Sequence, residues 1–220
     1  MTAPYPDTFK LKGLRQRLVD GLRREGITDE AVLAAINAVP RHAFVESAFA
    51  EKAYLDIPLP IGAEQTISQP YTVGYMTQAL GLQPGHRVLE VGTGSGYQAA
   101  VLHALGAQVY SIERVPELYH RTQKLLRALG YTVRLRLGDG TLGWPTHAPY
   151  QGIIVTAGGP AIPPALREQL AIGGRLVMPV GDREVQQLIE LTRLTETDYS
   201  QRTHPNFRFV PLIGKAGWEG

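Results

Sequence analysis

The chain has 220 residues, of which 44% are hydrophobic and 19% charged, a balance typical of one globular α/β domain. Its net charge of +2 disfavours nucleic acid and anionic membranes as partners. The absence of cysteine excludes disulfides, thiolate zinc sites, iron–sulfur clusters and a cysteine nucleophile. Residues 1–9 lack a secretory signal pattern and no apolar run approaches about 20 residues, so we expect a cytoplasmic protein without a membrane span.

The first 70 residues predict a helical extension followed by an irregular segment. Leucines recur at helical spacing before Gly26, and Thr28 precedes a second helix that ends at Pro40, so two helices are expected within 10–38. Residues 41–70 have little periodicity and several prolines and glycines. Long irregular segments of this kind usually lie over a core and often carry function.

From residue 72 onwards, short apolar runs alternate with helical patterns. Because parallel strands need a crossover connection, this alternation predicts a mostly parallel sheet with helices on both faces. The last two strands follow each other without a helix, so an antiparallel pair is expected at the sheet edge. Strands are predicted at 87–91, 108–112, 133–137, 152–156, 175–179, 186–193 and 207–213, helices at 72–81, 97–105, 117–129 and 164–170, and a turn at 173–174.

The strongest local signal is a glycine-rich turn directly after the first of these strands. Glycine permits positive φ and lets the backbone approach a ligand closely. A dinucleotide fingerprint, G-x-G-x-x-G, requires glycine at position 97, which is tyrosine here. Glu90 precedes the turn, and a carboxylate there suits the cationic amino-acid end of S-adenosylmethionine but would repel a pyrophosphate. The turn consists of Gly92, Thr93, Gly94, Ser95 and Gly96.

Two further acids follow the next two strands. Glu113 lies 19 residues after Gly94, at the position where an acid bonds the ribose hydroxyls of an adenosine ligand. Asp139 ends the third strand, where it is expected to face the adenine amino group. Carboxylates at three successive strand ends beside one glycine turn predict a site for S-adenosylmethionine.

Longer motifs flank this turn on both sides. Upstream they are PRHAFV at 40–45, YLD at 54–56, PLPIG at 58–62 and QTISQP at 65–70. Downstream they are DGTLG at 139–143, IPP at 162–164, QL at 169–170, GGRL at 173–176, PVG at 179–181 and FVPL at 209–212. In these motifs the sequence resembles the protein-L-isoaspartate O-methyltransferase family, from about residue 10 to residue 213.

The resemblance implies a Rossmann-like methyltransferase fold, with a seven-stranded, mostly parallel sheet, helices on both faces, an altered order of the last strands and an N-terminal helical extension. It identifies Ser68 as the catalytic residue and implies that residues 66–68 close over the cofactor. Together with Glu90, the residues expected to bind S-adenosylmethionine are Gln65, Thr66, Ile67, Gly92, Thr93, Gly94, Ser95, Gly96, Glu113, Asp139 and Gly140.

Three departures from the family pattern stand out. Glu64 replaces a usual glycine, and a second carboxylate there would repel an acidic substrate unless it points to solvent. Gln151 stands where aspartate is usual, and Gly158-Gly159 where alanine is more frequent.

The implied reaction is methyl transfer to the free α-carboxylate of L-isoaspartyl residues in damaged proteins. The ester then closes to a succinimide, which opens partly to normal aspartate. A carboxylate is already ionised near neutral pH, so it requires positioning and exclusion of water rather than a general base. The Ser68 hydroxyl can donate one hydrogen bond to this carboxylate, although a serine before Pro70 also fits a helix N-cap.

The expected partners are isoaspartyl-containing proteins and peptides. The six histidines show no metal-ligand spacing, so no metal is expected. We expect a monomer with a single domain, 1–220, in which 1–70 supplies helices and the active-site loop, 71–180 the cofactor-binding core and 181–220 the closing strands.

Three other classes of protein share parts of this pattern. A methyltransferase of small molecules or RNA has the same cofactor site, although the segment at 66–68 and the low charge disfavour RNA. A nicotinamide-dependent dehydrogenase is disfavoured by the glycine spacing and by Glu90. A binding protein without catalysis, disabled by Glu64, is the third.

Overall fold

The computed structural model describes residues 5–219, with the side chains of 205 and 206 excepted. Two helices, three short 3-10 turns within 41–54 and a small antiparallel hairpin precede the main sheet. The second helix is capped by Asp29, whose Oδ1 accepts from the Ala31 and Val32 amides. The elements are α1 (Phe9–Arg24), α2 (Glu30–Ala38), β1 (Leu59–Gly62), β2 (Gln65–Ile67) and α3 (Pro70–Leu80).

The main sheet has seven strands in the order β5-β4-β3-β6-β7-β8-β9. Strands β3 to β7 are parallel to one another, whereas β8 runs antiparallel to both β7 and β9. The predicted fold class, including the antiparallel pair at the edge, is confirmed. The elements are β3 (Arg87–Val91), α4 (Tyr97–Ala104), β4 (Gln108–Glu113), α5 (Pro116–Ala128), β5 (Val133–Leu137), β6 (Tyr150–Val155), α6 (Pro164–Glu168), β7 (Leu170–Gly181), β8 (Gln186–Arg193) and β9 (Tyr199–Phe207).

Alternation along the strands separates two hydrophobic layers, as a pleated sheet requires. On one face Val88 and Val109 pack with apolar residues of α3 and α4. On the other face Leu89 and Tyr110 pack with Leu166 of α6. A third apolar cluster joins α1 and α2 to α4 and α5, so the N-terminal extension covers the helical layer. Glu90 lies on the same face of the sheet as Val88, the face that α4 covers, because residues two positions apart in a strand point to the same side.

The prediction of a last strand at 207–213 is wrong. The strand that pairs with β8 is Tyr199–Phe207, after a turn in which the Leu194 amide donates to the Asp198 carbonyl. The later apolar run crosses to the carboxyl ends of the parallel strands, where Val210 and Leu212 exchange backbone hydrogen bonds with Gly158. Pro211 between them has no amide hydrogen, which disfavours a regular ladder there.

Two smaller expectations also change. The predicted turn at 173–174 lies inside β7, where Gly173 has φ of 78° and the pairing with β6 shifts register. Residues 41–70, expected to be irregular, contain the β1–β2 hairpin. Its strands span only four and three residues, too short for an alternation signal in the sequence.

Candidate active site

A cavity of about 320 Å³ lies at the carboxyl ends of β3, β4 and β6. The β1–β2 hairpin, the start of α3 and the segment 210–213 form its other walls. Open parallel sheets bind ligands at this edge. Ten predicted site residues line the cavity: Gln65, Thr66, Ile67, Ser68, Gly92, Thr93, Gly94, Ser95, Glu113 and Gly140.

The glycine turn forms the floor of the cavity. Gly92, Gly94 and Gly96 have φ of 97°, 53° and 87°, which side chains of L-residues disfavour. A Cβ on Gly92 would come within 2.4 Å of Thr156 Oγ1, and one on Gly96 within 2.7 Å of Thr122 Cγ2. Gly96 is not among the residues that line the cavity, and it packs against Thr122 and Leu126 of α5.

Glu113 lines the cavity and fixes the turn. Its Oε2 accepts from the Gly94 amide at 2.8 Å, and its Oε1 accepts from the Val115 amide at 2.9 Å. The side chain is 4% exposed. Two backbone donors therefore hold the carboxylate at the end of β4, where its remaining acceptor positions can meet hydroxyl groups of a ligand.

Glu90 is not among the residues that line the cavity. It is fully buried, and its Oε2 accepts from Ser111 Oγ at 2.5 Å. Ser111 in turn bonds Thr93 Oγ1 at 2.6 Å, which ties the glycine turn to β4. The other carboxylate oxygen of Glu90, Oε1, has no hydrogen-bond partner among the described residues. Burial, with the nearby charge of Glu113, raises the pKa of Glu90 to about 8, against the opposing bond from Ser111.

Asp139 is not among the residues that line the cavity, although its neighbour Gly140 is. Its Oδ1 accepts from the Thr141 amide at 2.8 Å and hydroxyl at 2.7 Å, and its Oδ2 accepts from the Lys215 amide at 2.9 Å. The pKa of Asp139 is below its ordinary value, because the opposing effect of partial burial is outweighed by these hydrogen bonds to the ionised carboxylate. The carboxylate anchors the chain beyond β9 against the 139–141 segment, and Gly140 reaches the cavity instead.

Ser68 follows β2 and comes two residues before α3. It is half-buried and lines the cavity. The cap residue of α3 is Gln69, so the N-cap alternative for Ser68 is not observed. Within residues 5–219 the Ser68 hydroxyl has no hydrogen-bond partner, and it is free to bind a ligand.

The structure adds residues that the sequence interpretation missed. Thr156, directly after β6, donates to the Gly92 carbonyl at 2.7 Å and lines the cavity beside the turn. Gln98 and Arg114 also contribute to the wall. The rule that ligands bind beyond strand ends applies to Thr156 as it does to Glu113, because β6 is the other neighbour of β3.

The departures from the family pattern have separate explanations. Glu64 is exposed at the hairpin turn with φ of 57°, the backbone conformation that glycine favours. Gln151 accepts from the Arg87 amide at 2.8 Å, away from the cavity. At Gly159 a Cβ would meet Cε, the flexible end of the Met178 side chain, at 2.6 Å, so an alanine there would require that side chain to shift.

None of the helices within residues 5–219 is long and apolar enough to cross a membrane. In the same part of the chain, no group of three or more histidine, aspartate or glutamate side chains has an arrangement that could hold a metal ion.

Comparison with known proteins agrees with the geometry of the cavity. The family model for protein-L-isoaspartate(D-aspartate) O-methyltransferase matches residues 13–217. A protein-L-isoaspartate O-methyltransferase of Salinibacter ruber is 54% identical, with 97% of each chain covered. Another, of Cytophaga hutchinsonii, is 50% identical, with 96% of each chain covered.

Solved structures share the fold. A protein-L-isoaspartate O-methyltransferase of 29% identity has a TM-score of 0.84, covering 92% of this chain and 67% of that chain. A Plasmodium falciparum protein in complex with S-adenosyl-L-homocysteine has 24% identity and a TM-score of 0.79, covering 90% and 98%. The family expected from the sequence motifs is confirmed: the chain belongs to the protein-L-isoaspartate(D-aspartate) O-methyltransferase family.

Proposed function

We propose that Ser68 orients the substrate carboxylate in this enzyme while the glycine turn and Glu113 hold the cofactor. The enzyme transfers a methyl group from S-adenosylmethionine to the free α-carboxylate of L-isoaspartyl residues and so initiates protein repair. The observation that carries the proposed roles is that the free Ser68 hydroxyl lines the same cavity as the glycine turn.

The residues present fit an adenosyl cofactor. The floor is a cradle that a Cβ on Gly92 would fill, and Glu113 beside it is fixed by backbone donors. We therefore assign cofactor binding to the turn residues on the wall, to Glu113 and Gly140, and to Gln65, Thr66 and Ile67 of the hairpin. Glu90, Gly96 and Asp139 are assigned supporting roles behind them.

The protein's contribution to the reaction is positioning. When bound, S-adenosylmethionine would supply, from its sulfonium, a methyl group that a carboxylate oxygen attacks in line, so that the carbon–oxygen bond forms as the carbon–sulfur bond breaks and S-adenosyl-L-homocysteine leaves as the neutral thioether. The Ser68 hydroxyl donates to one carboxylate oxygen and leaves the other free to attack. A neutral donor lowers the nucleophilicity of the carboxylate less than a cationic one would. The hairpin excludes water, which strengthens the attraction between carboxylate and sulfonium.

The cavity walls support the proposal that the chain works as one domain, because they combine residues from 1–70, 71–180 and 181–220. We also propose that the enzyme works as a monomer, since the residues of one chain enclose the cavity, and that nucleic acid is not its substrate, in keeping with the net charge of +2. A cytoplasmic location stays a prediction.

The proposed roles are tested with methyl-labelled S-adenosylmethionine and two peptides that carry isoaspartate or aspartate at the same position. Base-labile label is expected on the isoaspartyl peptide alone. Ser68→Ala is expected to lower turnover by about 10- to 100-fold, because a hydrogen bond to a charged group contributes about 1.5–3 kcal/mol. Cofactor affinity, measured by calorimetry, should stay within about threefold of the wild type.

The matched control is Ser47→Ala, which removes an exposed hydroxyl in a 3-10 turn outside the cavity. It should leave turnover unchanged. Equal label on both peptides would reject the isoaspartyl substrate, and wild-type turnover in Ser68→Ala would reject the role of Ser68.

A further inference from the structure

Helix α3, which follows Ser68, is capped by a distant residue. Its own N-cap, Gln69, makes no side-chain hydrogen bond to the first turn. Asp56 supplies the missing acceptor: its Oδ1 accepts from the Tyr71 amide at 2.7 Å, and its Oδ2 accepts from Gln69 Nε2 at 3.4 Å. A carboxylate at this end of a helix also interacts favourably with the helix dipole.

The cap brackets the catalytic serine. On the N-terminal side, Ile67 is buried and pairs with Leu59 across the β1–β2 hairpin. On the C-terminal side, the residue after Ser68 and the Tyr71 amide both bond to Asp56. Ser68 therefore lies in a short span between two anchored points, and removal of either anchor allows its hydroxyl to move relative to the cavity.

A buried cation lies behind this cap. The Arg41 side chain is 0% exposed, its guanidinium lies 4.9 Å from the centre of the Tyr97 ring, and its Nη2 donates to the Ile57 carbonyl at 3.4 Å. Its Nε and Nη1 have no partner among the described residues. Burial lowers the pKa of Arg41 to about 10, with attraction to Tyr97 and Asp56 opposing the shift, so the group stays charged near neutral pH. Among the described residues Arg41 forms no hydrogen bond or ion pair with Asp56, so the hydrogen bonds of the Asp56 carboxylate go to the start of α3.

We propose that Asp56 is a positioning residue for Ser68, acting through the first turn of α3. The inference rests on the proposed function, since it assigns Asp56 to the catalytic step and not to cofactor binding. Asp56 is absent from the cavity wall, so its effect on turnover is indirect and passes through the segment that it anchors.

The experiment compares Asp56→Ala with Asp29→Ala in the full chain. Both substitutions remove a partly buried aspartate that caps a helix, but Asp29 caps α2, away from the cavity. With methyl-labelled cofactor and the isoaspartyl peptide, Asp56→Ala is expected to lower kcat by about tenfold or more, since small misplacements of reacting groups are costly. The Kd of S-adenosyl-L-homocysteine should change less than about threefold. Asp29→Ala should keep wild-type kcat.

A conservative variant at position 56 distinguishes a positioning role of Asp56 from a general loss of protein stability. Asp56→Asn keeps an oxygen acceptor for the Tyr71 amide and is expected to retain most of the wild-type kcat. If Asp56→Ala does not fold, Asp56→Ser compared with Asp56→Asn carries the same test, because the shorter serine hydroxyl at 56 does not reach the Tyr71 amide whereas the asparagine oxygen does. Equal kcat for the Asp56 and Asp29 variants overturns the inference while the proposed function stands. Absence of ester formation by the wild type overturns both.

Discussion

The floor and the cover of the cavity are built in different ways. The floor, defined as residues 92–96 with the ends of β3 and β4, is largely buried and tied down by side chains such as Glu113. The cover, defined as residues 59–68, is a short hairpin with an exposed tip. At that tip Ala63 and Glu64, neither of them glycine, have φ of 49° and 57°.

This difference indicates that the floor and the cover have different roles. The floor is pre-organised, because Thr122 Oγ1 donates to the Gly94 carbonyl at 2.7 Å while Glu113 holds the Gly94 amide. The cover is hydrogen-bonded to α5 by an exposed arginine, Arg121, which donates to the Ile61 carbonyl. We expect substitutions in the floor to change the free energy of unfolding, and substitutions in the cover to change ligand exchange and turnover.

The largest effect is expected for Gly92→Ala in the floor. The new Cβ meets Thr156 Oγ1 at 2.4 Å at a φ of 97°, so strain and overpacking combine to about 3–5 kcal/mol. Urea unfolding measures the loss. The control is Gly130→Ala, where φ is 79° but nothing lies within 4 Å, and which isolates the backbone strain at about 1–2 kcal/mol. Equal losses in the two variants would contradict a tightly packed floor.

A second effect in the floor depends on pH. Glu90 has its pKa raised from 4.5 to about 8 in the folded chain, so the folded state binds its proton more tightly than the unfolded state. Its contribution to stability is fully present below pH 4.5 and is lost as the pH rises through about 8. Glu90→Gln, always neutral, should flatten the stability profile between these limits by a few kcal/mol. Parallel urea-unfolding profiles for variant and wild type would show that Glu90 is not the group responsible.

The floor could be predicted from the sequence because its residues form short local motifs, and because the order of strands in a parallel sheet determines where these motifs lie. Three glycines directly after an apolar strand, and an acid ending the next strand, define positions that a parallel sheet brings together. The sequence could not show which way a carboxylate points. Glu90 differs from Leu89 by one position, and this places it on the α4 face under the turn, away from the ligand.

The cover could be placed only through the family motif. Its strands are too short for periodicity, and the cap of α3 by Asp56 joins residues that are 15 positions apart with no local pattern. The same holds for Asp139, whose partner Lys215 is 76 positions away. Contacts of this kind depend on how loops pack, and propensities and strand alternation do not encode them.

The smallest effect is expected for Arg121→Ala, which changes the contact between the cover and α5. Arg121→Ala removes the hydrogen bond from α5 to the Ile61 carbonyl, and Ile61 lies above the glycine turn, where its Cδ1 would contact a Cβ on Gly94 at 3.5 Å. Because Arg121 is exposed, the bond contributes about 0.5–1 kcal/mol, which corresponds to a two- to fivefold faster release of S-adenosyl-L-homocysteine. Stopped-flow displacement measures this rate, and urea unfolding should show little change. Arg127→Ala, an exposed arginine of the same helix that does not contact the hairpin, is the matched control. Identical release rates for the two variants would mean that pairing within the hairpin and the Asp56 cap hold the cover closed, and that α5 does not.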